Sequence, residues 1–135
     1  MIQLIYGKKG SGKSKKLLNM ANEEVAGATG NIVYIDDDNR IMYNLKHEVR
    51  FINTSEYGID NADSLYGFVS GILSGDFDIS SIYIDGLKKM IKKDSGELES
   101  LLAKLDKVFG SVTANMVISS SADLPEYLNK YTIIQ

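Results

Sequence analysis

Residues 7 to 14 read Gly7-Lys8-Lys9-Gly10-Ser11-Gly12-Lys13-Ser14, between an apolar run and an amphipathic stretch. Ile2-Gln3-Leu4-Ile5-Tyr6 before them reads as a buried central strand. After them, Leu17, Leu18, Ala21 and Val25 fall on one face of a helix expected over residues 13–26, which Gly27 and Gly30 end. A glycine-rich turn in that position has a definite chemistry. Backbone N–H groups of a wrapped loop point at an anion, glycine lets the backbone come close, and the helix start adds its dipole and free amides. The loop meets G-x-x-x-x-G-K-S at every fixed position. Lys13 is expected to reach the outer phosphates of a polyphosphate chain, and the Ser14 hydroxyl to ligate Mg²⁺. The plain alternative is a strand-to-helix turn that holds nothing.

Helical and strand patterns alternate along the rest of the chain, which predicts an α/β fold with a mostly parallel sheet. Residues 32–35 form the second strand, stopped by Asp36-Asp37-Asp38-Asn39. Residues 41–43 and 49–52 either pair as a hairpin or contribute only the second segment as a strand. Leu65, Phe68, Val69, Ile72 and Leu73 give a helix over 64–74. A strand over 79–84 ends at Asp85-Gly86, and a short helix follows with Leu87, Met90 and Ile91 inward. Asp94 and Glu97 mark a longer helix with Leu98, Leu101, Leu102, Leu105, Val108 and Phe109 on its core face. Residues 116–118 form a strand that runs into Ser119-Ser120-Ser121. Pro125 suits the first turn of a short helix, and 131–134 a last strand. The total is five or six strands in one domain, 1–135.

Composition narrows the chemistry. With 135 residues, no cysteine and a single histidine (His47), the chain excludes disulfides, thiolate nucleophiles and multi-histidine metal sites. A net charge of −3 argues against nucleic acid as a partner. No apolar run approaches the roughly 20 residues that span a bilayer, so no membrane segment and a cytoplasmic location are expected.

The loop and its flanking elements resemble the P-loop NTPase superfamily over nearly the whole chain. The chain also looks like a group of small bacterial ATP-binding P-loop proteins of similar length. The resemblance implies a three-layer fold with helices on both faces of the sheet, and a bound nucleoside triphosphate with Mg²⁺. Gly7, Lys8, Lys9, Gly10, Ser11, Gly12, Lys13, Ser14 and Lys15 become the candidate nucleotide-binding residues. Ser81-Ile82-Tyr83-Ile84-Asp85 is similar to a Walker B strand, so Asp85 joins Ser14 as a candidate Mg²⁺ residue. RecA-like members often place a catalytic Glu after that Asp, and here Gly86 follows. Ras-like spacing is also missing, which fits a RecA-like order with one strand between the P-loop and Walker B strands. Asp36 and Asp38 are candidate catalytic residues that orient water or hold Mg²⁺, as in MinD-type ATPases; the alternative is a polar turn. Ser119 resembles a sensor that touches the γ-phosphate.

Weaker signals stand beside these. Arg40 follows the acidic turn and reads mainly as a surface arginine paired with those aspartates. Lys88, Lys89, Lys92 and Lys93, with Lys8, Lys9, Lys15 and Lys16, form either a positive patch at the nucleotide edge or a solvated face. The expected function is Mg-dependent binding and slow hydrolysis of a nucleoside triphosphate. ATP is favoured because no Asn-Lys-x-Asp sequence is present. The alternatives are a small-molecule or nucleoside kinase and a non-catalytic nucleotide-dependent interaction module. A homodimer or protein partner is compatible, since many such proteins complete their site across an interface.

Overall fold

The computed structural model describes residues 1–7, 10–91, 95–120 and 131–134. Its sheet holds β1 (Ile2–Tyr6), β2 (Asn31–Asp36), β3 (Val49–Asn53), β4 (Ile79–Ile84), β5 (Asn115–Ser120) and a short β6 (Thr132–Ile134). The order is β3-β2-β4-β5-β1-β6, and every pairing is parallel. The sheet is thus wholly parallel across five strands of five or six residues and the three-residue edge strand β6. The one strand between β1 and β4 is β5.

The helices are α1 (Lys13–Glu24), α2 (Ala62–Gly75), α3 (Leu87–Ile91) and α4 (Ser95–Phe109). Alternation along each strand sends successive side chains to opposite faces. Ile5, Ile32, Tyr34, Tyr83 and Val117 pack with Leu17 and Ala21 of α1. Leu4, Val33, Ile35, Ile82, Ile84, Met116 and Ile118 pack on the other face with residues of α2, α3 and α4. Both sheet faces are therefore covered, which is what near-continuous apolar strands require. No helix among the described residues is long and apolar enough to cross a membrane.

Local chemistry moves several boundaries. α2 begins at Ala62 because Asn61 caps it: Asn61 Oδ1 accepts from Ser64 N at 2.8 Å, and Ser64 Oγ accepts from Asn61 N at 3.3 Å. The hairpin option for 41–52 is overturned. Met42–Asn44 is a single 3₁₀ turn, and β3 pairs parallel to β2. The reason lies in α1, where Asn22 donates to Asn44 O at 2.9 Å and accepts from Lys46 N at 2.8 Å. Those bonds satisfy backbone groups that a hairpin ladder would have used, while Ile41 and Leu45 pack on the α1 side. Ser119 and Ser120 stay in β5, paired with Ile5 and Tyr6. Lys92, Lys93, Asp94, Ser121 and the Pro125 helix lie outside the described residues.

Candidate functional site

Parallel strands bring all their C-terminal ends to one edge, where an open α/β sheet presents a crevice. Tyr6 lies level with Ser120, and Ile84 with Ile118. The loop after β1, Asp36 at the end of β2, Asp85 after β4 and Ser119 near the end of β5 therefore meet at that edge. Asp36, Asp85 and Ser119 also fall on the α1 face, two residues beyond Tyr34, Tyr83 and Val117 respectively. Alternation alone aims these three polar groups at the start of α1.

Contacts follow that placement. Ser14 Oγ donates to Asp85 Oδ1 at 3.2 Å, across 71 residues of sequence. Ser119 Oγ donates to the same oxygen at 2.7 Å and accepts from Gly86 N at 3.3 Å. Tyr34 OH donates to Asp85 Oδ2 at 3.3 Å. Asp85 is buried, so this ring of hydroxyls replaces the water its charge has lost. Because the Ser14 proton is directed at Asp85, the serine oxygen keeps its lone pairs for another partner.

A cleft of about 530 Å³ opens beside this group, lined by Gly10, Gly12, Lys13, Ser14, Lys15, Asp85, Gly86, Leu87, Lys88, Lys89 and Ser119. Four lysines on its walls concentrate positive charge in a chain that is net negative. Gly12 precedes α1 with φ +90°, a conformation that L side chains rarely adopt, and nothing stands within 4 Å where its Cβ would lie. α1 has no side-chain cap and no acidic residue in its first turn, so its dipole and first amides are not neutralised from within. Donors of this kind suit a phosphate chain. The hydroxyl and carboxylate of Ser14 and Asp85 are hard oxygen ligands that suit Mg²⁺.

The acidic turn divides. Asp36 is buried, its backbone carbonyl accepts from Thr54 Oγ1 at 3.3 Å, and its Oδ1 accepts from Asp37 N at 2.7 Å. Burial first, then the charge of Asp85, pushes its carboxyl up to about 8. The Asp37 carboxylate, whose buried Oδ1 has no hydrogen-bond partner among the described residues, adds to the rise. Burial likewise raises the Tyr34 hydroxyl far above its ordinary range, with Asp85 next in effect, so it remains a donor. Asp38 turns to Arg40, taking its Nε at 2.8 Å and its N at 3.0 Å. Asp38 and Arg40 are thus occupied with each other, away from the cleft lining. His47 is exposed beside Glu48.

Of the loop candidates, Gly10, Gly12, Lys13, Ser14 and Lys15 reach the cleft, joined by Ser119 and Asp85. Gly7 packs on Ser11 instead: a Cβ there would stand 2.6 Å from Ser11 Oγ. Lys8 and Lys9 lie outside the described residues. Tyr34 is the contributor that residue-type reasoning overlooked, because a tyrosine among aliphatic strand residues reads as packing. Its signal was register: Tyr34 pairs with Tyr83, two residues before Asp85, within diagonal reach of an aromatic side chain.

Gly86 follows Asp85 at the end of β4. Its φ is +71°, which lets the chain turn from β4 into α3 and aims its N–H at Ser119. A side chain there is strained, so Gly86→Ala is expected to cost about 1–2 kcal/mol in urea unfolding. A loss below about 0.5 kcal/mol would mean that the turn relaxes without strain.

No family model matches this chain, and comparison with curated proteins finds no match. The functional reading rests on the residues of the site themselves.

Proposed function

We propose that this chain binds a Mg²⁺–nucleoside triphosphate, ATP in preference to GTP, and hydrolyses it slowly as a cytoplasmic protein of the P-loop NTPase kind. The observation that carries the reading is the Ser14–Asp85 hydrogen bond at the head of a lysine-walled cleft. It joins the hydroxyl and the carboxylate that would hold Mg²⁺, and it is made by residues far apart in sequence. The metal would neutralise phosphate charge there. Lys13 would hold the outer phosphates, with the amides of Gly10, Ser11 and Gly12 around them. The single strand between β1 and β4 agrees with a RecA-like order.

Slow turnover follows from what surrounds the cleft. Gly86 stands where a catalytic glutamate often does. Asp36, beside Asp85, has its carboxyl raised by burial and by that neighbouring charge, which reduces the ionised fraction available to act as a base. Calorimetric titration tests the reading: Mg-ATP is expected to bind with micromolar affinity and Mg-GTP more weakly. Failure of both to bind would overturn it.

Phosphoryl transfer to a small acceptor is a second reading with one observation in its favour. A cavity of about 300 Å³ lined by Asp37, Thr54, Ser55, Asp60 and Lys89 shares Lys89 with the cleft. ADP formed only when a metabolite acceptor is added would favour it. ADP formed at the same rate without one would favour hydrolysis.

A further inference from the structure

We propose that Tyr34 is a positioning residue that fixes the Asp85 carboxylate in the orientation from which it takes Mg²⁺; this rests on the nucleotide reading above. Asp85 follows the last residue of β4, so its carboxyl group can turn about its own Cβ–Cγ bond unless both oxygens are held. Oδ1 is held by Ser119 and Ser14. Of these two donors Ser14 is exposed and Ser119 is buried, so Ser119 is the more fixed constraint on that side. Oδ2 is held by Tyr34. Two donors on opposite oxygens fix a plane that one donor does not.

Tyr34 itself is rigid. It is fully buried, and its ring stacks between Phe51 at 6.4 Å and Tyr83 at 6.2 Å, with interplanar angles of 24° and 16°. The Tyr83 hydroxyl donates to Glu24, the last residue of α1, and Ser80 Oγ donates to the same carboxylate at 3.0 Å. The ladder is therefore tied to the end of the helix whose beginning carries Ser14. At 3.3 Å the Tyr34–Asp85 bond is longer than a usual hydroxyl bond of about 2.7–2.8 Å. Second-layer donors of this kind set how well a ligand oxygen meets its metal.

The experiment uses the whole chain as wild type, Tyr34→Phe and Tyr83→Phe. Tyr34→Phe removes the bond to Asp85 and keeps the ring in its stack. Tyr83→Phe removes a hydroxyl from the same ladder without touching Asp85. ATP is titrated calorimetrically in EDTA and at graded Mg²⁺, and thermal unfolding checks each fold. Tyr34→Phe is expected to need about tenfold more Mg²⁺ for half-maximal ATP binding. Its metal-free ATP affinity should stay within about twofold of wild type. Tyr83→Phe should follow wild type throughout. Wild-type Mg²⁺ dependence in Tyr34→Phe would overturn the assignment. So would an equal loss of metal-free and metal-loaded binding, which marks a structural role, or a shift of the same size in Tyr83→Phe. If the wild type binds ATP under neither condition, the nucleotide reading falls first and this inference with it.

Discussion

Lys13→Ala is expected to weaken Mg-ATP binding about 100-fold or more and to leave the folded protein essentially as stable as before. Lys13 is the first residue of α1 and lines the cleft. Its ammonium group adds a side-chain charge to the backbone amides of Gly10, Ser11 and Gly12. Hydrogen bonds between charged partners contribute about 1.5–3 kcal/mol each, and a triphosphate offers more than one acceptor to an ammonium group. Truncation removes the charge but not the helix start, because alanine is the best helix former and Gly12 still sets the turn. Calorimetry on wild type and variant reads the affinity, and urea unfolding reads the stability. Unchanged affinity would mean that phosphate does not lie over this loop. Lost stability to match the lost affinity would mean that Lys13 serves the fold instead.

The loop and Asp85 were legible in the sequence because their signals are local. Gly12-Lys13-Ser14 sits between a strand and a helix that periodicity alone identifies, and Asp85 ends an apolar strand. The two sheet faces were also legible, since alternation assigns Tyr34, Tyr83 and Val117 to one side and Val33, Ile82 and Ile118 to the other. What was not legible depends on partners distant in sequence. The run Ile41-Met42-Tyr43 has strand composition, yet Asn22 in α1 holds the following backbone as a turn. Asp36, Asp37 and Asp38 look alike on paper. Strand alternation buries Asp36 beside Asp85, whereas Asp38 lies outside the strand and pairs with Arg40. Gly86 looked like a missing glutamate, and its positive φ makes it a turn that a glutamate could occupy only with strain.

Asp36→Asn is expected to stabilise the ligand-free protein at alkaline pH by several kcal/mol, and by little near pH 4. The carboxyl titrates near 3.9 in an unfolded chain, and burial beside Asp85 pushes it up to about 8 in the folded one. Below the unfolded value both states are protonated and the residue costs nothing. Between the two values the unfolded chain has lost its proton and the folded chain has not, so stability falls as pH rises. Above the folded value the full cost of a buried charge beside another is present. Asparagine does not titrate, so the gap between variant and wild type should open from about pH 4 and level off above about pH 8. It also keeps an oxygen for the Asp37 N–H, and its amide can donate to Asp37 Oδ1, a buried oxygen with no hydrogen-bond partner among the described residues. Urea unfolding of both proteins across that range measures the gap. A gap that does not change with pH would mean that Asp36 is already ionised in the folded chain. Turnover of Mg-ATP separates the two roles of this residue. A variant that is more stable at high pH and also slower marks Asp36 as a site where stability is given up for function. A variant that is more stable and equally fast removes Asp36 from the catalytic candidates and leaves it as a buried acid at the end of β2.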